Sequence, residues 1–484
     1  MTDRRPGLAA AAAALGAIWL LHAAVRRAPF TPFSAAEWLV RRTPGGLATR
    51  AIELLGHGAL DILIVVAVVA VLAIGYLAGS VRPLVLGGVA LVLGALAGAL
   101  DPMRAGAGFV ALSSVVGALA AALTAELLRA PAGGAPTADA GRRRVVAGIA
   151  LGAGSVVLGG LGVVRAAAKR AAVGIVRADR LAVIATDPSF VAPSGLTPRL
   201  TSRRDHYVVD IDLLDPSVGA SAYKLRITGA VASPMALTLD ELRAMRTVEQ
   251  VTTLACISNP VGGNLISTAR WTGVRVRDLL ARAKPHGNAM FLEAKAADGY
   301  IESFPMDLVM RDEFLAAFGM NGLLLPREHG FPVRLIVPGR YGMKNVKWVT
   351  DLVLRTTDIT GYWEVRGWDA KAIIRTESRF DVPSDGATVS SPFVAAGIAW
   401  AGDRGVQAVQ VSTDDGNTWR EAVLERAPGA LTWRRWKVDL ALGKGDWTLQ
   451  CRAIDGKTDV EDRLIRAPHP SGASGYHTIE ITVR

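Results

Sequence analysis

Cysteine is nearly absent from this 484-residue chain, which has only Cys256 and Cys451. Two thiols cannot build the dense disulfide framework of a small secreted scaffold, and their wide separation has no metal-ligand spacing, so each is read alone. No C-x-x-C-H haem attachment motif occurs, nor any cytochrome-like pair of histidines. No GxGxxG or P-loop offers a nucleotide phosphate cradle, and no protease signature surrounds His206, His286 or His329. The 54 Lys+Arg exceed the 43 Asp+Glu to give a net charge of +11. Yet no basic helix with interleaved aromatics accompanies that charge, so nucleic acid is not an expected partner.

Apolar residues are abundant, at 51% of the chain. Gly7 to Val25, Gly58 to Gly79, Pro83 to Leu100, Ala107 to Leu128 and Val145 to Val164 each run close to the ~20 residues that cross a hydrocarbon core. They predict an N-terminal bundle of about five transmembrane helices over residues 1–165 and a multi-pass location in the cell membrane. Lys and Arg in the loops are nearly balanced between the two sides. However, Gly141-Arg-Arg-Arg-Val-Val-Ala-Gly-Ile-Ala150 resembles a twin-arginine export signal, which places the C-terminal part on the extracytoplasmic face. Arg27 to Gly56 would then lie along the outer interface as an amphipathic helix. His22 and His57 are too few for haem ligation, so the helices read as an anchor.

After Val164 the apolar runs shorten. Residues 166–195 read as a linker, with Pro188 to Pro198 leading into a folded domain. Over 196–375, strand-like runs (Tyr207 to Ile211, Lys224 to Ile227, Val333 to Val337, Trp348 to Leu354) mix with helix-like ones (Leu239 to Arg246, Val276 to Ala283), an α+β pattern. Thr238 and Glu241 form a capping-box signature. Over 376–484, regularly spaced strand-like runs and the turn signal Asp415-Gly416-Asn417 predict a β-sandwich. Trp447, Leu449, Cys451 and Ala453 share one strand face, so Cys451 is a core residue.

Cys256 sits elsewhere, between the probable strand Val251 to Ala255 and the polar turn Ile257 to Gly263. A strand-to-loop junction exposes side chains, and Gly262 and Gly263 would let a backbone approach a ligand closely. The thiol is open to three readings: an inert buried group, a nucleophile, or a ligand to a soft metal. Farther on, His329, Arg334, Arg340, Lys344 and Lys347 alternate with glycines and prolines between Leu325 and Trp348. Such donors on tight loops suit an anionic ligand with a phosphate, or else form a solvated loop.

The segments LACISN, ISTARWTGVRVRDLL, MNGLLLPREHGFPVRLIVPGRYGMKNVKW and GYWEVRGW together resemble the molybdenum domain of the sulfite oxidase family. VSTDDGNTW, WRRWKVDL and PSGASGYHTIEITV resemble the immunoglobulin-like dimerisation domain that follows it. The resemblance spans about Leu196 to Arg484 and implies a molybdenum centre carried by molybdopterin, with one protein thiolate from the family's C-x-x-N motif. That position is Cys256, beside Asn259. The resemblance also implies that His329 and Arg334 contact the pterin and its phosphate, and that Asn345, Val346 and Lys347 contribute backbone and lysine contacts. Tyr207 begins the counterpart of the family's Phe-Val-Arg-Asn-His segment, and Asp298 near Tyr300 matches a pterin-contacting acid.

The sequence departs from the family where substrate is held. Pro260 stands where sulfite oxidases place arginine, Val208 or Val209 replaces a second arginine, and the catalytic tyrosine's place falls near Val365, with Tyr362 close. Arg340 and Lys344 are the candidate catalytic cations in their stead. The leading expectation is oxygen-atom transfer on a small sulfur or nitrogen compound. The alternatives are a reductase of sulfoxides such as methionine sulfoxide in proteins, and a non-catalytic membrane receptor or assembly protein that keeps the fold. Electrons would pass through a separate cytochrome or a quinone-linked partner, and the last domain implies a possible homodimer.

Overall fold

The structure is a computed structural model describing residues 5–24, 58–77, 113–121, 124, 176, 178–179, 187–211 and 215–484. The chain divides into two units. The first contains α1 (Arg5–Ala24) and α2 (Gly58–Leu77). The alanine run Ala9 to Ala14 favours helix in α1. Leu15 and Ile18 of α1 pack against Val68, Val71 and Leu72 of α2.

No helix among the described residues is long and apolar enough to cross a membrane. This finding overturns the expected five-helix membrane bundle and, with it, the multi-pass membrane location. The physical reason lies in composition. Alanine makes up much of α1, and it favours helix without adding much apolar surface. In α2, Asp61 stands in the first turn, so the uninterrupted apolar part begins at Ile62 and falls short of the ~20 residues of a span. The runs at 83–100 and 145–164, the arginines at 142–144 and the segment 27–56 lie outside the described residues.

The second unit is mostly β, where a more even α+β mixture was expected. Its first strands are β1 (Leu225–Gly229), β2 (Met235–Leu237), β3 (Val248–Ala255), β4 (Ile266–Arg275) and β5 (Phe291–Ala296). There follow β6 (Ile301–Pro305), β7 (Leu315–Met320), β8 (Leu323–Leu324), β9 (Arg334–Ile336) and β10 (Val349–Arg355). Three short helices punctuate them: α3 (Leu239–Arg243), α4 (Val276–Ala283) and α5 (Met306–Val309). One sheet runs β2-β1-β10-β5-β6, with β1 and β10 parallel. The other runs β3-β4-β7-β8, with β9 added on β7. Residues 207–211 are not a strand, contrary to expectation.

Residues 377–483 make two further sheets. Their strands are β11 (Glu377–Val382), β12 (Ala387–Val389), β13 (Phe393–Trp400), β14 (Val406–Ser412) and β15 (Arg420–Glu421). They continue with β16 (Val423–Leu424), β17 (Arg434–Leu440), β18 (Gly445–Asp455) and β19 (His477–Val483). The orders are β11-β13-β17-β16 and β12-β19-β18-β14-β15. Between them lies an apolar core that includes Val409, Trp436, Leu449 and Cys451. Cys451 is fully buried there, bonded only through weak sulfur contacts to Ser378 and the His477 carbonyl.

A second core joins this sandwich to the preceding sheets. Ala255, Ile257 and Ile266 pack with Tyr341, Met343 and Trp368, and with Ile398, Trp400 and Trp433 from β13 and the approach to β17. The Trp433 amide donates to Thr253 Oγ1 at 2.8 Å, and the Thr253 amide donates to the Leu431 carbonyl at 2.9 Å. The sandwich therefore backs the strand that leads to Cys256.

Candidate active site

β3 and β4 form an antiparallel hairpin whose last register pair is Ala255 with Ile266. Cys256 is the first residue of the connecting loop, and its amide still donates to the Leu265 carbonyl at 2.9 Å. Asn259 closes the loop: its amide donates to the Cys256 carbonyl at 3.1 Å, and its Oδ1 accepts from the Leu265 amide at 2.8 Å. That acceptor role fixes the amide's orientation and leaves Nδ2 buried without a partner. The glycines serve the loop itself rather than a close ligand approach. Gly262 has φ +75, and a Cβ on it would come within 2.3 Å of His477 Nε2, while one on Gly263 would come within 2.6 Å of Asn259 Oδ1.

The Cys256 thiol is buried and 2.9 Å from Ser258 Oγ. Burial pushes the thiol up, and hydrogen bonds from Ser258 and the backbone only partly offset this. A thiolate here needs a positive centre beside it. Against the Cys256 backbone lies the turn Gly342–Lys344: a Cβ on Gly342 would sit 3.7 Å from Cys256 Cα and 2.5 Å from the Tyr207 hydroxyl. Burial and the neighbouring Cys256 raise the Tyr207 hydroxyl, while Arg334 opposes them. Tyr207 therefore lies within electrostatic reach of both.

Arg334 enters on β9 and is almost fully buried. Nη1 donates to the His329 carbonyl at 3.1 Å and Nη2 to the Asn345 carbonyl at 3.2 Å, while Nε has no partner. Among the described residues no carboxylate bonds this guanidinium, and burial lowers it to about 10, with Tyr207 and Asp210 opposing. His329 donates from Nε2 to the Arg203 carbonyl at 2.8 Å, which leaves Nδ1 as an acceptor. Burial lowers His329 to about 4, so its ring is neutral at neutral pH.

His206, not singled out from sequence, stacks on Tyr207 at 5.4 Å and stands edge-on to His329 at 5.0 Å and Trp271 at 5.6 Å. Its Nδ1 bonds the Tyr207 carbonyl at 3.1 Å, and its Nε2 is buried without a partner. Trp271 also carries Arg334 on its face at 4.9 Å. Lys347 pairs with Asp210, donates to the Glu328 carbonyl at 3.0 Å and lies over the Trp348 ring.

Asn345 and Val346 tie the turn to β9. Asn345 Oδ1 accepts from the Val337 amide at 2.8 Å, and the Val346 carbonyl accepts from the Leu335 amide at 2.8 Å. Cys256, Tyr207, Asn259, His329, Arg334, Asn345 and Val346 are thus connected, with Lys347 at the edge. Lys344 and Asp298 belong to an adjoining group. Lys344 Nζ donates to Glu302 and Glu364, each at 2.7 Å. Buried Asp298 accepts from the Tyr300 amide at 2.9 Å. Arg340 stands apart, half-buried in the field of Asp403, Arg311, Asp307 and Asp369.

Among the described residues, no group of three or more His, Cys, Asp or Glu could hold a metal ion. A metal here must bring most of its own donors, and Cys256 supplies one soft sulfur. The orphaned buried atoms fit a large polar ligand: Arg334 Nε and Asn259 Nδ2 as donors, His206 Nε2 as an acceptor. Each unmet buried group costs about 1–3 kcal/mol, a deficit that a pterin with a phosphate is built to relieve. The residues fit the cofactor implied by the sequence.

Residues 212–363 match the family described as oxidoreductase molybdopterin binding domain, and 365–483 match the Mo-co oxidoreductase dimerisation domain. These define a molybdopterin-dependent oxidoreductase. The sulfite oxidase of Gallus gallus is 32% identical over 323 residues, covering 56% of this chain and 69% of that protein. The chain belongs to the sulfite oxidase family, and its cofactor is molybdenum held by molybdopterin.

The mitochondrial sulfite oxidase of Rattus norvegicus is 32% identical over 326 residues, but the match covers only 58% of that relative's length and 57% of this chain. A protein of Azospira oryzae, provisionally named protein-methionine-sulfoxide reductase subunit YedZ1, is 32% identical over 152 residues, covering 31% of this chain and 56% of that protein. The sulfane dehydrogenase SoxCD of Paracoccus pantotrophus shares the fold, with a TM-score of 0.52 at 22% identity over 61% of this chain and 90% of that one.

Proposed function

We propose that the chain catalyses oxygen-atom transfer on a small sulfur or nitrogen compound. The observation that carries this reading is the buried Arg334 guanidinium, which among the described residues bonds only backbone carbonyls, close to the Tyr207 hydroxyl, itself near the buried Cys256 thiol. When bound, the molybdenum cofactor supplies a redox centre that passes two electrons as an oxygen atom moves to or from the substrate. Cys256 anchors it by sulfur. Arg334 offsets its negative charge, with Lys347, held by Asp210, at the edge, while neutral His329 and His206, with Asn259, satisfy its polar edge. The electron partner is a separate cytochrome or a quinone-linked protein, and the dimerisation domain pairs two copies.

A second reading, reduction of sulfoxides, is favoured by where the candidate substrate cations stand. Lys344 is taken up by two carboxylates, and Arg340 lies among acidic side chains. Neither is poised for a dianion such as sulfite, which weights neutral substrates. The test is elemental analysis of the full-length protein from a cofactor-competent host, followed by a substrate panel in both directions. Protein with molybdenum that oxidises sulfite with a cytochrome, but reduces no sulfoxide with reduced dye, would discard the second reading. Protein without molybdenum would discard both.

A further inference from the structure

Three separate segments meet at one buried lysine. Glu302 lies on β6 with its carboxyl fully enclosed, and its Oε1 accepts from Lys344 Nζ and, at 2.9 Å, from the Ser303 amide. Glu364, from the turn Glu364–Arg366, holds the same ammonium through Oε1 and accepts from the Gly361 amide through Oε2 at 2.8 Å. A Cβ on Gly361 would come within 2.5 Å of Glu302 Oε1, so that turn rests directly on the carboxyl. The Tyr300 hydroxyl, 3.4 Å from Glu302 Oε2, donates to the Met343 carbonyl at 2.8 Å inside the turn that carries Lys344.

We propose that Glu302 is a positioning residue: with Glu364 it clamps Lys344 and so fixes the turn that lays Gly342 against the Cys256 backbone and delivers the Asn345 carbonyl to Arg334. The inference rests on the reading that this site holds the cofactor. Lys344 thereby changes role, from a substrate cation to the anchor of the turn.

The clamp's charge is finely set. Two carboxylates against one ammonium leave an excess negative charge in a dry environment, which favours keeping one proton. Burial pushes Glu302 up to about 7, with Lys344 pulling it down and Glu364 pushing it further up. Tyr300, Asp298 behind it, and Asp358 on the Ser303 hydroxyl complete the groups that face the clamp. The fold therefore holds that proton, and by linkage the stability it contributes is complete below about 4.5 and declines as pH rises through about 7.

The test compares the full-length protein with its Lys344→Met, Glu302→Gln and Glu302→Ala variants. Amide hydrogen exchange of residues 340–347 reads the anchor whether or not cofactor is present. The proposal expects exchange there to rise about tenfold in Lys344→Met, which removes the ammonium that both carboxylates hold, with little change elsewhere, and Glu302→Gln, which keeps an acceptor for Lys344 and Ser303, to retain much of the protection. Pterin release, followed by its fluorescence, should speed up in Lys344→Met, and in Glu302→Gln it should lose its dependence on pH between about 6 and about 8. Unchanged exchange over 340–347 in a folded Lys344→Met protein overturns the proposal, as does a uniform rise across the chain. Should Lys344→Met not fold, Glu302→Ala is read by the same criterion. A wild-type protein that holds molybdenum but transfers no oxygen overturns the functional reading and leaves this one standing on exchange and pterin release.

Discussion

A thiol that burial keeps protonated becomes a metal ligand only when a positive centre arrives beside it, and Cys256 is in that state. Its replacement therefore separates fold from chemistry. In Cys256→Ser the hydroxyl keeps the volume and the contact with Ser258, so the melting temperature should stay within a few degrees of wild type, while the sulfur-to-metal charge-transfer absorption and turnover should both disappear. Absorption spectra and assays on the purified variant check this. At Arg334 the expectation differs. Removing this buried cation relieves the unliganded protein of a desolvation cost but takes hydrogen bonds from the His329 and Asn345 carbonyls, so Arg334→Met should change apo stability little while weakening cofactor retention by ten-fold or more, on the order of 1.5–3 kcal/mol per lost charge-assisted contact. Calorimetry and pterin content measure the two effects separately.

Among elements, those with strong local signals are the ones that could be read from the chain. α4 spans Val276–Ala283 and β19 spans His477–Val483 as periodicity predicts. The Thr238 and Glu241 capping box is formed, with Glu241 N to Thr238 Oγ1 at 3.2 Å and Thr238 N to Glu241 Oε2 at 2.8 Å. Thr238→Ala should cost about 1 kcal/mol in a denaturant titration, with little effect on the distant site. Motif and chain order pointed to Cys256, His329, Arg334, Asn345 and Val346, which the fold brings together, and also to Arg340 and Lys344, which lie outside that group. Glu302 and His206 were not legible: a glutamate in Ile301-Glu-Ser-Phe-Pro305 gives no hint that it points inward, and only the fold brings Lys344 to it. The membrane reading failed for a related reason. Hydropathy sums a window of sequence, whereas a span also needs one helix that is long and apolar enough, and none occurs among the described residues.

At the scale of the second unit, stability is tied to a few buried acids. Glu461 accepts from Ser378 Oγ at 2.7 Å and from the Ala453 amide at 2.8 Å, has no cation partner among the described residues, and is pushed up to about 8 by burial. Glu377 nearby, bonded by the Tyr341 hydroxyl, is likewise held well above its usual range by burial, with Glu461 adding to the effect. A carboxyl whose folded value lies above its unfolded value of about 4.5 binds a proton in the fold that the unfolded chain has lost. Its stabilising contribution is complete below about 4.5 and declines as pH rises through about 8. The wild-type protein should therefore lose stability between pH 5 and pH 8 by on the order of a few kcal/mol, and Glu461→Gln, which keeps the acceptor for Ser378 and Ala453, should flatten that slope. Denaturant midpoints at successive pH values measure it, and an unchanged slope in the variant would show that Glu461 titrates as an ordinary acid.

The same unit scale governs the cofactor, because the sandwich and the site share a core. Trp400 and Trp433 are packed with Ala255 and Ile257, the residues that flank Cys256, and Trp433 and Leu431 bond Thr253 on β3. Removing the sandwich would uncover these side chains and leave the Thr253 amide without its partner. Burying a side chain of this size contributes about 1.5–3 kcal/mol, so the loss is shared by several residues directly behind the thiol. A milder change tests the coupling without unfolding the chain. Trp433→Phe keeps most of the packing, whereas Trp433→Ala opens a cavity that costs about 3–5 kcal/mol. If the sandwich holds the Cys256 loop in place, Trp433→Ala should lower molybdenum content per chain while Trp433→Phe keeps it near wild type, and both should sediment as the same oligomer. Equal molybdenum content in the two variants would mean that β3 keeps its loop without support from behind.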